Sequence, residues 1–411
     1  MNSSKTILVI GTYDTKNDEL TYLSDCIKGQ NGKVLTMDVS VLGDAQAICN
    51  YSKHDIAAAA SSTIDEVIKS GDENTAMQIM ANGATLTTQK LYNKKEIHGV
   101  IILGGTMGTD LALDVCQSLP MGFPKYIVST VSFSPLIAPD RLSPDIQMIL
   151  WAGGLYGLNS VCKSSLSQAA GAVLGAAQTV EKQENNLPVI GMTSLGSSCL
   201  SYMKLLKPEL ENRGFEVAIF HATGMGGMAF ERIAGEGGFA CVMDFALCEI
   251  GNLLAGSVVN SGNDRMLNAG ISKTPQIIAP GCIDLIDFAG WQDIPSQYSD
   301  RPFHEHNRLI KSSALNNEER RETAREIFKR MEKSASPTSF IMPTLGIEEW
   351  DKPGEPAHDP EGFNSFLDEI RKINKINVVY NEVESHINDQ LFADKALEIL
   401  DDWIKTKTVK V

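Results

Sequence analysis

Ile7 to Leu20 reads ILVIGTYDTKNDEL, and Val189 to Leu200 reads VIGMTSLGSSCL. Each is an apolar run, then a glycine, a hydroxyl-rich turn and the start of a helix. That is the layout of a strand–loop–helix turn that cups a phosphate. Backbone N–H groups and the positive end of the helix dipole face the anion, and Thr or Ser hydroxyls add donors. Its occurrence twice in 411 residues predicts two nucleotide-fold domains in tandem, because this length exceeds that of a usual single domain.

Short apolar runs alternate with amphipathic helical stretches on both sides of these turns, the pattern of a mainly parallel α/β sheet. The expected fold is therefore α/β, with two Rossmann-like, doubly wound domains. The polar stretch EKQENNLP (Glu181 to Pro188) ends in proline just before a new strand and reads as the boundary. This gives domains at 1–184 and 185–411. The small-residue stretch SLSQAAGAVLGAAQ (Ser165 to Gln178) reads as an interior helix, or as a close-packing interface. Asp300 to Asn316 reads as irregular. Thr344 to Phe363 reads as a long Pro/Gly loop, and long ordered loops in compact domains are often functional.

The formal charge is −15, whereas a duplex-binding surface needs clustered Lys and Arg, so nucleic acid is not an expected partner. No apolar run reaches spanning length, and the polar MNSSK start is not a signal peptide. These features predict a soluble cytoplasmic protein with no membrane partner. None of the eight cysteines forms a CxxC pair, and buried reduced thiols are expected.

The candidate nucleotide site lies in the first half. Gly11, Thr12, Asp14, Thr15 and Lys16 follow the first strand, and LGGTMGTDL brings Gly104, Gly105, Thr106 and Thr109 after the third. In a doubly wound sheet such loops meet at the carboxyl ends of the strands. Glycines admit the phosphates, the threonines donate hydroxyls, and Lys16 supplies positive charge. Asp38 ends the second strand, where an acidic residue either holds ribose hydroxyls or serves as a strand-end turn residue. Asp14 suits a helix cap, a ribose or a metal better than a phosphate.

The candidate catalytic groups lie in the second half. FHATGMGG (Phe220 to Gly227) puts His221 at a strand end ahead of a glycine-rich loop, where it suits proton transfer. Asp244 ends the next strand and would orient His221. Arg265 would clamp a small anionic metabolite, and His306 and His386 lie in later loops. A metal centre is disfavoured because these histidines are dispersed.

GTYDTK, LGGTMGT, VIGMT with its following Cys199, FHATGMGG, the Asp-Arg of SGNDR, APG and HIND together resemble one family over residues 5 to 405. It is the family of two-domain proteins related to the N-terminal ATP-binding region of the tomato mosaic virus resistance protein. The resemblance implies two Rossmann-like domains and a homodimer. It also implies ATP at Gly11, Thr12, Asp14, Thr15, Lys16, Gly104, Gly105 and Thr106; Mg²⁺ carried on the phosphates is a further expectation of nucleotide binding. Some relatives carry a TIM-barrel segment that this chain lacks, so a separately encoded barrel partner is a further expectation. A third reading is a scaffold whose ligand controls association.

Overall fold

The computed structural model describes residues 4–154, 157–180, 187–355 and 357–411. It divides into two compact units, Met1–Gln183 and Glu184–Val411. Residues 181–186, where the boundary was read, lie outside the described residues.

The N-terminal unit runs β1 (Thr6–Gly11), α1 (Asn17–Gly29), β2 (Lys33–Asp38), α2 (Lys53–Ala59), α3 (Ile64–Lys69), α4 (Glu73–Asn93), β3 (Gly99–Gly104), α5 (Thr106–Gln117), β4 (Lys125–Ser129), β5 (Gln147–Leu150) and α6 (Ser160–Thr179). Its strands pair in parallel in the order β2-β1-β3-β4-β5. All six residues of β3 are buried, as expected of a central strand covered on both faces. Leu20, Leu23 and Ile27 of α1 pack with Leu166, Ala170 and Val173 of α6 on one face. Met80, Ala84, Leu111 and Val115 of α4 and α5 cover the other. The small-residue helix is thus an interior element whose alanines let it lie close to α1.

From β1 the chain crosses to β2 on one side and to β3 on the other, so the winding direction reverses between β1 and β3. In such sheets the crevice outside the strand ends at this reversal is where ligands bind.

The C-terminal unit runs β6 (Val189–Ser194), α7 (Leu200–Asn212), β7 (Glu216–His221), α8 (Met225–Gly235), β8 (Cys241–Ala246), α9 (Cys248–Leu254), α10 (Asn268–Ile271), β9 (Gln276–Gly281), β10 (Leu285–Ala289), β11 (His304–Glu305), β12 (Ile310–Ala314), α11 (Asn317–Met331), β13 (Thr338–Pro343), α12 (Pro360–Lys372), β14 (Val378–Val383) and α13 (Gln390–Lys405). Its parallel sheet has the order β7-β6-β8-β9-β13-β14. The first four strands repeat the winding of the N-terminal unit. Tyr202, Leu206, Phe392 and Leu400 cover one face; Ile250, Ile327, Phe328 and Phe366 cover much of the other.

Asp300 to Asn316 is not irregular throughout. β11 and β12 lie within it and form a small antiparallel sheet with β10. The sequence signal is weak because β11 has only two residues, both exposed, and so lacks the alternation that marks a half-buried strand.

Candidate functional site

The loops after β1 and β3 border a cleft of about 660 Å³, within the size range of small-molecule sites. Thr12, Asp14, Thr15, Lys16, Gly104, Gly105 and Thr106 line it. The opposite wall, which sequence reading missed, is apolar: Val39, Val41 and Leu42 after β2, Val67 and Ile68 of α3, and Met77 and Met80 of α4. Leu42 is 81% exposed beside this apolar surface. Asp72 and Glu73 also border the cleft.

The two loops have different roles. In the β1 loop, the amides of Thr15 and Lys16 both donate to the Thr12 carbonyl. The Tyr13 amide donates to Asp38 Oδ1 at 3.1 Å, and the Asp14 amide to Ser40 Oγ at 3.1 Å. Amides 13 to 16 are therefore spent on shaping the loop. The next helix, α1, already carries Asp18 and Glu19 in its first turn, and their charge complements its positive end. By contrast, α5 starts at Thr106 after Gly105, which gives no side-chain cap, and it has no acidic residue in its first turn. Its leading N–H groups have no intrahelical partner. Thr106, Met107 and Gly108, which carry them, border the cleft. The anion-favouring end of this crevice is thus the LGGTMGT loop.

Three of the sequence candidates stand behind the cleft instead of in its lining. Asp38 is buried, and its Oδ1 accepts from Tyr13 N and from the Ser40 amide and hydroxyl. It ties the β1 and β2 loops together, so it replaces the expected ribose contact with a clamp. Gly11 gives α1 room, since a Cβ there would lie 2.8 Å from Leu20. Thr109 donates to Gly105 O at 2.7 Å and bonds Ser129 Oγ at 2.6 Å. Asp14 stays in the lining: Oδ2 accepts from Gly43 N, while Oδ1 is buried and unpartnered among the described residues. Lys16 Nζ lies 5.9 Å from the Trp151 ring centroid.

The five candidates of the C-terminal unit do not converge. Arg265 is fully buried and has all its N–H groups engaged. Nε donates to Glu249, Nη1 to Glu231 and Asp244, and Nη2 to Asp244 at 2.7 Å and to Ala246 O at 3.0 Å. The guanidinium has no donor left for an anion, so the expected clamp is an internal strut. Asp244 accepts from Arg265 and from Thr193 Oγ1, not from His221. The bulge at Asp244/Ala246 turns both following amides onto the same Thr193 hydroxyl. Three carboxylates around one cation, out of water, leave excess negative charge. Burial pushes Glu231 up to about 7, against the pull of Arg265, with Asp244 adding to the rise.

The glycine loop of FHATGMGG belongs to this network. Gly224 N donates to Glu249, and a Cβ on Gly227 would collide with the same carboxylate. The loop wraps a protein carboxylate. His221 is exposed at the end of the edge strand β7, and Cε1 lies 3.8 Å from where a Gly196 Cβ would sit. His306 is exposed, with its ring 6.2 Å from Trp350.

His386 is buried. Asn388 N donates to Nδ1 at 3.1 Å, so the ring proton sits on Nε2 and is donated to Glu348 O at 2.9 Å and Asp351 Oδ1 at 3.1 Å. This histidine fastens the loop after β14 to the turn after β13. Gly346 allows the approach: its φ is +141°, and a Cβ there would strike His386 and Asp351.

Sequence reading also missed Asp284 and Glu348, both buried. Each has an unpartnered buried oxygen, Oδ1 and Oε1, among the described residues. Burial raises Asp284 to about 6, against Arg320 and with Asp351 adding. Burial and then the Asp284 carboxylate raise Glu348 to about 9. Their positions at strand ends, after APGCI and within the Pro/Gly stretch, were the available signal.

Among the described residues no helix is long and apolar enough to cross a membrane, and no group of three or more His, Cys, Asp or Glu is arranged to hold a metal. The eight cysteines are free, six of them buried.

Residues 5–182 match the N-terminal domain of the uncharacterised protein family UPF0261, and residues 187–404 match its C-terminal domain. A UPF0261 protein of Brucella melitensis is 52% identical over 402 residues, covering 98% of this chain and 96% of that one. The ToMV resistance protein Tm-1(GCR237) of Solanum lycopersicum is 26% identical over 427 residues, which is 97% of this chain and 55% of that protein. A solved UDP-N-acetylglucosamine 2-epimerase is similar over 67% of this chain and 79% of its own, at 10% identity and a TM-score of 0.23; so low a score carries no argument. The chain belongs to the uncharacterised two-domain family UPF0261.

Proposed function

We propose that this protein binds a nucleotide, ATP by preference, in the cleft between the β1 and β3 loops of its N-terminal unit. The observation that carries the reading is the uncapped start of α5 at the winding reversal, opposite an apolar wall. The phosphates lie against Gly105, Thr106 and Gly108. The purine lies against Val39, Leu42, Val67 and Met77. Asp14 Oδ1, unpartnered, then receives a ribose hydroxyl or a water of a phosphate-bound Mg²⁺, which keeps its waters and takes only one or two protein carboxylates. The distant likeness to a tomato resistance protein agrees with the resemblance stated above.

Binding, in a cytoplasmic homodimer, is the proposed role, and the proposal does not extend to turnover. The acid/base reading centred on His221 has no support from position: Asp244 and Arg265 serve each other, and His306 and His386 have separate settings.

Isothermal titration with MgATP tests the proposal. Saturable binding to the wild type is expected, and Lys16→Ala should weaken it by about tenfold or more, the loss of one charge-assisted contact. Absence of binding at millimolar MgATP would remove the proposal.

A further inference from the structure

A second cleft, of about 200 Å³, opens within the C-terminal unit. Its floor is Asp284, between β9 and β10. Thr344 to Ile347, after β13, form one side, and the start of α12 forms the other. The volume is that of several waters, each taking about 30 Å³ of liquid, so it admits a molecule of a few heavy atoms.

The charges facing this cleft are unequal. Arg320 is buried; its guanidinium pairs with Asp359 at 3.1 Å and donates from Nε to the Leu315 carbonyl. Asp351 is occupied by His386 and by the amides of Ile347 and Glu348. Asp284 is different. It is 3% exposed, it borders the cleft, and its Oδ1 has no partner among the described residues. A buried carboxylate oxygen without a donor costs about 1–3 kcal/mol or more. That cost falls when a ligand brings the donor. Ile283, Ile347 and Phe363 offer apolar surface around the same space.

We propose that this cleft binds a small organic amine, with Asp284 as the counter-ion of its ammonium group and Ile283, Ile347 and Phe363 enclosing its carbon skeleton. An anion is disfavoured, because the single guanidinium is already paired while three carboxyls border the space. A bare metal ion is disfavoured, because no His, Cys, Asp or Glu trio among the described residues has ligating geometry. The site is separate from the nucleotide cleft, and neither depends on the other.

The test is titration of the full chain with n-butylamine, and in parallel with n-butanol and MgCl₂. Saturable binding of n-butylamine alone is expected. Asp284→Asn keeps the shape and removes the charge, and should weaken binding by about tenfold or more while leaving the melting temperature within a few degrees. Should that variant not fold, Ala357→Trp fills the cleft with Asp284 intact and should abolish binding. No saturable binding of the amine, equal binding of butanol or Mg²⁺, or unchanged amine binding in a folded Asp284→Asn or Ala357→Trp protein would each overturn the proposal; the last of these would leave Asp284 hydrated by water only.

Discussion

Arg265→Ala destabilises the C-terminal unit by about 3–5 kcal/mol, the usual effect of removing one partner from a buried ion cluster. The substitution leaves Asp244, Glu249 and Glu231 facing one another, all at most 3% exposed, with no cation between them. It also releases Ala246 O and unlinks the end of β8 from the Gly224 turn and the Met266 segment, which Glu249 and Glu231 hold through backbone amides. Arg265→Lys should recover little, because an ammonium cannot reproduce the fork that reaches three carboxylates and a carbonyl. The defect should shrink between pH 8 and pH 5. Without the guanidinium the carboxyls hold protons more tightly, and protonation relieves their repulsion. Urea unfolding of the three proteins at both pH values checks this. An anion clamp would behave oppositely: stability would hold while affinity for a small anion fell.

Glu348→Gln makes the protein more stable than wild type at alkaline pH. Folding pushes Glu348 up to about 9, from an ordinary carboxyl value of 4.5. A group raised by folding contributes stability that is complete below the unfolded value and is lost as pH rises through the folded one. For Glu348 the window runs from about 4.5 to about 9, with a slope of at most about 1.4 kcal/mol per pH unit. Glutamine does not titrate, so between pH 6 and 8 its stability should gain about 2–3 kcal/mol on the wild type. Glu231 and Asp284 are raised as well and give both proteins a shallower slope of the same sign. Denaturation midpoints at pH 6, 7 and 8 measure the difference. Parallel curves for the two proteins would mean that Glu348 is not protonated in the folded state.

The inner parallel strands were legible because β1, β3, β4, β6, β8, β9 and β13 are mostly buried runs, whereas the edge strands β2, β5, β7 and β14 are more exposed. β11 was not, because two exposed residues carry no pattern. In the N-terminal unit, the residues bordering the cleft were found from one side only. Loops after strands announce themselves by Gly, Thr and Lys. The facing wall of Val39, Val67 and Met77 looks in sequence like any helix or strand interior. The misplaced roles share one cause. Asp38, Asp244 and Arg265 sit at strand ends or in loops, where ligands bind, but a charge at such a place can equally be spent on another part of the chain. Sequence shows that Arg265 has a charge; only the fold shows that Asp244, Glu231 and Glu249 surround it.

The central claim concerns the place where a nucleotide binds, and amide hydrogen exchange with and without saturating MgATP addresses it most directly. Slower exchange is predicted at the start of α5, residues 105 to 108, with smaller protection through residues 39 to 42 and 67 to 77 and none attributable to the FHATGMGG loop. Unchanged exchange at residues 105 to 108, or protection centred on residues 221 to 227, would contradict the account.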